Sequence, residues 1–274
     1  MNIETTGTEK AAVLRALHVP GHPLVVPNAW DVASARMIEE AGFPAVATSS
    51  AAIAAVLGWD DGEGAPVEDM LAAAGRIARS VNAPVTVDFE RGYGLKPADL
   101  VERFAETGAA GLNLEDSDPA TGAMVGIAEQ TDFLAAVRAA AQSADLDLVI
   151  NARTDSFLRR AGTPQERLAA SIERGSRYLA AGADCVYPLG VAEPEVIRTL
   201  VKAIPGPVNV ARGPQARTTL AELAGLGVAR VTFGPSLQRQ AYDWFAATIL
   251  RALAGDARRG EPAVPAPGPS PARG

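Results

Sequence analysis

Acidic side chains follow two short apolar stretches in the middle of the chain. Residues 84–88 end in Asp88, with Glu90 just beyond, and residues 111–114 lead directly into Glu115. A hydrophobic core rejects unpaired carboxylates, so acids placed where apolar strands end indicate a site for a cation. If the first strand continues past Asp88, then Asp88 and Glu90 point to the same side, and their repulsion calls for a cation or a proton. We predict that Asp88, Glu90 and Glu115 hold a divalent metal directly or through water; the alternative is a cluster of structural salt bridges to nearby arginines, Arg91 or Arg153.

A basic side chain follows a third apolar stretch. Arg153 follows residues 148–151 with only Ala152 between them, and a buried guanidinium can bind a substrate carboxylate through two parallel hydrogen bonds. We therefore predict that Arg153 contacts the substrate. The alternative is that Arg153 pairs with Glu115 or Asp155 inside the protein.

Small and polar residues supply the remaining candidates for substrate binding and catalysis. The backbone N–H groups of Ser49, Ser50 and Ala51 could bind an anion, although these residues could equally form a plain tight loop. Asp61 is either an acid–base group or one of several solvated acids in a polar turn. Asn209, at the end of a later apolar stretch, is a further candidate for substrate contact.

The counts of reactive residue types exclude several chemistries. The chain has two histidines, both ahead of the first predicted strand, three lysines, none of which ends a strand, and one cysteine, Cys185. A Ser-His-Asp relay, a histidine-rich zinc site and a strand-borne Schiff-base lysine therefore lack parts. Oxygen ligands remain, and these prefer Mg²⁺, with Mn²⁺ as the alternative ion. We interpret Cys185 as a small core residue.

Bulk composition limits the partners and the compartment. The net charge is −7, and no basic run exceeds a pair of arginines such as Arg258-Arg259, which argues against nucleic acid and anionic membranes as partners. The chain shows neither an apolar run of about 18 residues nor a signal-peptide pattern. A single cysteine allows no internal disulfide, so we predict a cytoplasmic protein without a membrane partner.

Repeated strand–helix units predict the fold. The apolar stretches are short and do not alternate with polar residues, as expected for strands buried on both faces. Eight such units in 274 residues predict a (β/α)₈ TIM barrel. A doubly wound open sheet is the alternative, but residues 28–30 show no glycine-rich dinucleotide fingerprint after the first strand. The predicted strands are residues 24–28, 45–48, 84–88, 111–114, 148–151, 184–187, 207–210 and 230–233.

The two ends of the chain differ from the repeats. The pattern of residues 8–16 predicts an N-terminal helix with Thr8 as a possible N-cap. We predict one barrel domain over residues 1–259. Residues 260–274 are rich in proline and glycine and predict a flexible tail. In a TIM barrel the carboxyl ends of the strands carry function, and the candidate residues collect at those ends.

Five short motifs along the chain match the pattern of one known family. They are Ala47-Thr48-Ser49-Ser50, Leu57-Gly58-Trp59-Asp60-Asp61-Gly62, Val87-Asp88-Phe89-Glu90-Arg91-Gly92-Tyr93-Gly94, Leu114-Glu115-Asp116 and Asn151-Ala152-Arg153-Thr154-Asp155. On these motifs the chain resembles the isocitrate lyase/phosphoenolpyruvate mutase family. The resemblance spans about residues 24–253, and the order and spacing of the motifs make it specific. It implies a (β/α)₈ barrel, Mg²⁺ and chemistry on 2-oxo acids through an enolate-like state.

The resemblance also assigns roles. Asp88 is similar to the metal ligand of the family, with the glutamates Glu90 and Glu115 in the second or water-bridged shell. Asp61 resembles the aspartate beside the substrate, and Arg153 the carboxylate-binding arginine. The backbone of residues 49–50 resembles the donors for the anionic end of the substrate. Family members are often tetramers that exchange the last helix, so the resemblance implies a homo-oligomer, a dimer or a tetramer.

One segment departs from the family pattern. Lyases of the family carry a Lys-Lys-Cys-Gly-His type loop after the Glu-Asp strand, and the mutases and phosphonate hydrolases carry a lysine there. Residues 117–126 contain no cysteine, histidine or lysine, so the chain is a divergent member without the catalytic cysteine loop. The strand that ends at Tyr187 also continues as Pro188-Leu189, where relatives have a polar group.

We predict a Mg²⁺-dependent enzyme that acts on a small 2-oxo acid or its adduct. It would be a carbon–carbon lyase or a decarboxylase that works through a metal-stabilised enolate. A dicarboxylate such as oxaloacetate or 2-oxoglutarate suits two anion-binding ends. The alternatives are a 2-oxo-acid binding protein without turnover and a phosphoenolpyruvate- or phosphonate-type phosphoryl-transfer enzyme, which would need a cationic clamp beyond Arg153.

Overall fold

The structure is a computed structural model that describes residues 7–160, 162–213 and 216–254. The chain divides into two units, one that ends at Leu237 and one that begins at Gln238. The predicted tail at residues 260–274 lies outside the described residues. The prediction of one domain over residues 1–259 stays a prediction.

Parallel strands form the centre of the first unit. One run of hydrogen-bonded strands has the order β2-β3-β4-β5-β6-β7, and another has the order β1-β9-β8. The strands are β1 Leu24–Val26, β2 Asn28–Ala29, β3 Val46–Thr48, β4 Val85–Asp88, β5 Gly111–Leu114, β6 Val149–Thr154, β7 Cys185–Pro188, β8 Asn209–Ala211 and β9 Arg230–Thr232.

The two runs join into a ring. β1 and β2 are separated only by Pro27, which has no N–H group for a strand hydrogen bond. They therefore act as one interrupted strand that pairs with β9 on one side and β3 on the other. A parallel bridge between Val186 and Val208 links β7 to the start of β8. The predicted TIM barrel is confirmed, and the open-sheet alternative is wrong.

Helices alternate with the strands, as the repeats predicted. The helices are α1 Gly7–Ala16, α2 Val32–Glu40, α3 Ser50–Leu57, α4 Val67–Ala78, α5 Pro97–Ala105, α6 Ile127–Ser143, α7 Pro164–Ala180, α8 Pro194–Ala203, α9 Leu220–Gly225 and α10 Ser236–Trp244, followed by a π-helix, Phe245–Leu250. None of the helices within the described ranges is long and apolar enough to cross a membrane.

Two local predictions need correction. The tight loop considered for Ser49, Ser50 and Ala51 is wrong, because Ser49 is the N-cap of α3, and its Oγ accepts a hydrogen bond from the N–H of Ala52 at 3.4 Å. Alanine and leucine then favour helix, and Gly58 ends it in the left-handed region at φ +83°. Thr8 is not an N-cap, because α1 already begins at Gly7.

Helix α1 packs against the amino end of the barrel strands. Leu14 of α1 packs with Leu24, Val26 and Val149 in one buried apolar cluster. Cys185 is fully buried, as predicted, and burial raises the pKa of its thiol to about 12.

A charged residue lies among these strands in a position that sequence reasoning did not anticipate. Arg230 begins β9 and is fully buried. Its Nη1 lies 3.5 Å from Nε2 of His18, and its Nη2 donates a 3.4 Å hydrogen bond to Oγ1 of Thr86. The lower interior of the barrel is therefore not purely apolar.

Candidate active site

Asp88 ends β4 at the carboxyl edge of the barrel and is half-buried. Its Oδ2 accepts hydrogen bonds from the N–H of Ser50 at 3.1 Å and from Ser50 Oγ at 2.9 Å. Its Oδ1 accepts one from Nδ2 of Asn113 at 3.3 Å. Within the described residues no arginine forms an ion pair with Asp88, so neutral donors orient this carboxylate.

Two asparagines in neighbouring strands support Asp88. Nδ2 of Asn151 in β6 donates a 2.8 Å hydrogen bond to Oδ1 of Asn113 in β5. Because that bond occupies the oxygen of the Asn113 amide, the nitrogen of the same amide is turned toward Asp88. Sequence reasoning missed this role of Asn113. The available signal was one polar residue inside each apolar strand, Leu112-Asn113-Leu114 and Ile150-Asn151-Ala152.

Ser50 links Asp88 to Asp61. The Ser50 hydroxyl oxygen lies 3.3 Å from Oδ1 of Asp61, in addition to its contact with Asp88. The first N–H group of α3, that of Ser50, therefore binds a carboxylate of the protein itself, as expected at the positive end of a helix dipole. Of the predicted anion-binding amides of Ser49, Ser50 and Ala51, that of Ser50 is already occupied.

Glu90 does not share a continuing strand with Asp88, because β4 ends at Asp88 and Glu90 has φ +48°. The geometrical premise of the sequence prediction is therefore wrong. Glu90 Oε1 accepts a 2.5 Å hydrogen bond from the Tyr93 hydroxyl, and its Oε2 accepts a 2.6 Å bond from the N–H of Glu63. Burial raises the pKa of Glu90 to about 7, and the charges of Asp88 and Asp61 act in the same direction.

Arg153 forms ion pairs with two carboxylates. Its Nη1 lies 2.5 Å from Oε2 of Glu115, and its Nε and Nη2 donate to the two oxygens of Asp155 at 2.6 and 2.9 Å. This is the pairing that sequence reasoning left open as the alternative. A guanidinium has five N–H donors, so two of them, one on each terminal nitrogen, remain for a substrate carboxylate. Burial raises the pKa of Glu115, and the adjacent charge of Arg153 opposes that rise.

Residues 117–126, which lack a catalytic cysteine, form a compact turn beside this cluster. A bridge joins Ser117 to Met124, and Asp118 exchanges backbone hydrogen bonds with Ala123 and Gly122 at 2.8 Å. Ser117 Oγ donates a 2.6 Å hydrogen bond to Oδ2 of Asp155. The segment is thus hydrogen-bonded directly to Asp155, the carboxylate that orients Arg153.

Asn209 is the remaining candidate, and Tyr187 lies on the neighbouring strand β7. Asn209 is fully buried, and its Nδ2 donates a 3.3 Å hydrogen bond to Oγ1 of Thr232. Tyr187 is paired in register with Arg153, and burial raises the pKa of its hydroxyl to about 12. The side-chain amide of Asn209 is turned to Thr232. Its contact with a substrate remains a prediction.

The donor set limits how a metal ion could be held. Among the described residues, no three His, Cys, Asp or Glu side chains come close enough together to bind one ion. A site with Asp88, Glu90 and Glu115 all as direct ligands is therefore not formed. Mg²⁺ keeps several waters and uses one or two protein carboxylates. Asp88 as a direct ligand, with Glu90 and Glu115 bound through water, is consistent with that coordination of Mg²⁺.

Comparisons with known proteins give the family. Residues 14–253 match the sequence model of the phosphoenolpyruvate phosphomutase family. The 2-methylisocitrate lyase of Bacillus subtilis (strain 168) is 30% identical over 217 residues, which cover 76% of this chain and 69% of that protein.

Solved structures agree with the sequence match. A Burkholderia cenocepacia J2315 protein provisionally named a phosphonomutase is 44% identical, with a TM-score of 0.84, covering 88% of this chain and 99% of that one. Oxaloacetate acetylhydrolase in complex with 3,3-difluorooxalacetate is 27% identical, with a TM-score of 0.80, covering 94% of this chain and 90% of that one.

These matches cover the barrel and the strand ends that hold the acidic and basic residues. They confirm the predicted family and an enzyme of its type, and they come from a superfamily of Mg²⁺-dependent lyases and mutases that act on 2-oxo acid adducts. The chain belongs to the phosphoenolpyruvate mutase/isocitrate lyase family.

Proposed function

We propose that the protein is a Mg²⁺-dependent carbon–carbon lyase or decarboxylase for a small 2-oxo acid or its adduct. The observation that carries the proposal is the arrangement of Asp88, which is half-buried, oriented by neutral donors and without an arginine partner among the described residues. Mn²⁺ is the alternative ion. Oxaloacetate and 2-oxoglutarate are the first substrates to test, and a named relative, oxaloacetate acetylhydrolase, supports the former.

The residues of the chain divide the work. Asp88 would hold the ion, with Glu90 and Glu115 contacting its waters, and Ser50 and Asn113 keep the carboxylate of Asp88 in place. When bound, Mg²⁺ supplies Lewis-acid stabilisation of negative charge on a substrate oxygen.

Arg153 has two N–H donors left for a substrate carboxylate, and its pairs with Glu115 and Asp155 prevent it from rotating away. Asp61, 3.3 Å from the Ser50 hydroxyl, lies where it can take or give a proton near Asp88. In the decarboxylase case, the C–C bond electrons of oxaloacetate pass to the enolate of pyruvate, CO₂ leaves, and a proton completes pyruvate.

The decisive variant is Asp88→Ala. We expect kcat/KM to fall by about 10³-fold or more, because several kcal/mol of transition-state stabilisation depend on the ion. Calorimetry should show loss of Mg²⁺ binding in the same variant. Asp132→Ala removes an exposed aspartate of α6 and is the matched control, which should keep both properties. Unchanged turnover in Asp88→Ala would refute the proposal.

A binding protein without turnover is the second candidate. The compact turn at residues 117–126 favours it, because that turn offers no cysteine, histidine or lysine as a proton donor. Calorimetry with oxaloacetate and 2-oxoglutarate, run beside an assay for released pyruvate and CO₂, separates the two. Binding without product across the panel would establish the second candidate in place of the first.

A homo-oligomer, dimer or tetramer, is also part of the proposal. In the unit that begins at Gln238, large apolar side chains are exposed, including Trp244 at 60% and Leu253 at 60%. Exposed apolar surface of this kind is typical of an interface. Analytical ultracentrifugation should show a dimer or tetramer, and Trp244→Glu should weaken it; a monomer at all concentrations would contradict this part.

A further inference from the structure

Two neighbouring turns at the barrel mouth share an unusual backbone conformation. Glu63, Glu90 and Tyr93 all have positive φ, at 59°, 48° and 56°. This region is unfavourable for residues with a side chain, and such strain persists only where surrounding contacts impose it. Glu63 lies between α3 and α4, and the other two residues lie between β4 and α5, so a contact between the turns is the cause to look for.

The contact is reciprocal. The N–H of Glu63 donates a 2.6 Å hydrogen bond to Oε2 of Glu90. In return, Oε1 of Glu63 accepts hydrogen bonds from the N–H of Tyr93 at 2.6 Å and from the N–H of Arg91 at 3.1 Å. Each glutamate thus binds the backbone of the other turn. We call Glu63, Glu90 and the amides of Arg91 and Tyr93 the glutamate clasp.

The clasp holds a segment that has little other support. Asp61 lies two residues before Glu63 and is exposed, and among the described residues its side chain has one hydrogen-bond contact, the 3.3 Å contact with Ser50 Oγ. A Cβ on Gly64 would lie 2.6 Å from the backbone oxygen of Asp60, so the turn over residues 60–64 is tight. Because the turn is tight, the position of Glu63 determines the position of Asp61.

We infer that Glu63 is a positioning residue that holds Asp61 beside Ser50 and Asp88 through the glutamate clasp. Within the part of the chain that the structure describes, Glu63 forms no hydrogen bond with Asp88 or Ser50, so it acts through the turn. The effect on turnover rests on the proposed function. The effect on backbone dynamics does not, and the two can be measured separately.

The first test is amide hydrogen exchange on the full chain without substrate. Glu63→Ala removes the acceptor of two N–H groups, and we expect exchange at Arg91 and Tyr93 and across residues 60–64 to accelerate at least tenfold. Glu63→Gln keeps an oxygen at the same place and should restore near-parental exchange. Glu102→Ala, which changes an exposed glutamate of α5, is the control. Unchanged exchange in Glu63→Ala would overturn the inference.

The second test is steady-state kinetics on whichever substrate the parent enzyme turns over. Glu63→Ala should lower kcat at least tenfold with a smaller change in KM, and Glu63→Gln should recover most of kcat. Faster exchange with unchanged kcat would overturn the positioning role.

If Glu63→Ala does not fold, Tyr93→Phe takes its place, because it removes only the 2.5 Å contact between the Tyr93 hydroxyl and Glu90. This variant should accelerate amide exchange over residues 60–64. Unchanged exchange in Tyr93→Phe would overturn the inference. A parent without turnover refutes the proposed function, while the exchange test still decides the clasp.

Discussion

Two arginines on barrel strands, Arg153 and Arg230, differ in burial and in surroundings. The Arg153 side chain is 13% exposed near the carboxyl end and contacts Glu115 and Asp155. Arg230 is fully buried at the start of β9, and its Nε has no hydrogen-bond partner among the residues that the structure describes. The comparison shows that Arg153 lies within ion-pair distance of two carboxylates, whereas Arg230 forms no ion pair among the residues that the structure describes.

The difference has a physical basis. A buried charge pair is costly to break, because removal of one partner leaves the charge of the other uncompensated. Removal of a buried cation that forms no ion pair leaves no such charge behind. Burial lowers the pKa of the Arg230 guanidinium. The same substitution should therefore have opposite effects on stability at the two sites.

The largest expected effect is that of Arg153→Met. It leaves Glu115 and Asp155 buried without their shared cation, and we expect the free energy of unfolding to fall by about 3–5 kcal/mol. Urea denaturation followed by circular dichroism measures this. Adding Glu115→Gln to the variant should recover part of the loss. A loss below about 1 kcal/mol would mean that the cluster is solvated in solution.

The second effect depends on pH and involves His18, next to Arg230. Nδ1 of His18 lies 2.7 Å from the backbone oxygen of Leu14, so the neutral ring donates there and its Nε2 faces Nη1 of Arg230 at 3.5 Å. Burial, followed by the charge of Arg230, lowers the pKa of His18 to about 4.

The sign follows from the direction of that shift. At a pH between the ordinary pKa of about 6.5 and the folded value near 4, His18 is protonated in the unfolded chain and neutral in the folded chain. The free energy of unfolding should therefore fall by about 3 kcal/mol as the pH drops through this window. His18→Gln should remove this part of the pH dependence, with His22→Gln as the control for losing a histidine. An unchanged slope in His18→Gln would contradict the assignment.

The smallest effect is that of Arg230→Met. We expect the free energy of unfolding to stay the same or to rise by up to about 2 kcal/mol, because a buried cation is replaced by an apolar side chain of similar length. The variant should also flatten the acid dependence, since it removes one cause of the lowered pKa of His18. A loss of about 2 kcal/mol or more would show that the hydrogen bonds to Thr86 and His18 outweigh the cost of burial.

Part of the site could be predicted from residue types alone. Asp88, Glu115 and Arg153 each follow an apolar run, and parallel strands deliver their last residues to one edge, so their neighbourhood followed from the repeats. The direction of each side chain did not follow. Glu90 was expected beside Asp88 on one strand, but its positive φ turns it to Glu63 and Tyr93.

The clasp and the position of Arg230 show why the remainder was hidden. The hydrogen bonds of Glu63 go to amides 28 and 30 positions away, and no local pattern encodes such a pair. Arg230 lies inside the barrel because strand residues alternate between the interior and the helices. Which alternate set faces inward depends on how the strands close into a ring.

By itself, the sequence determined the number of strand–helix units, the family and the set of charged residues at the strand ends, because these depend on local composition and order. Only the tertiary structure decided that Arg153 pairs with Glu115 and Asp155, that Glu90 turns from Asp88 to Glu63, and that Arg230 has no carboxylate at ion-pair distance within the described ranges. Those outcomes depend on distances between segments far apart in the chain, which exist only after the barrel has closed.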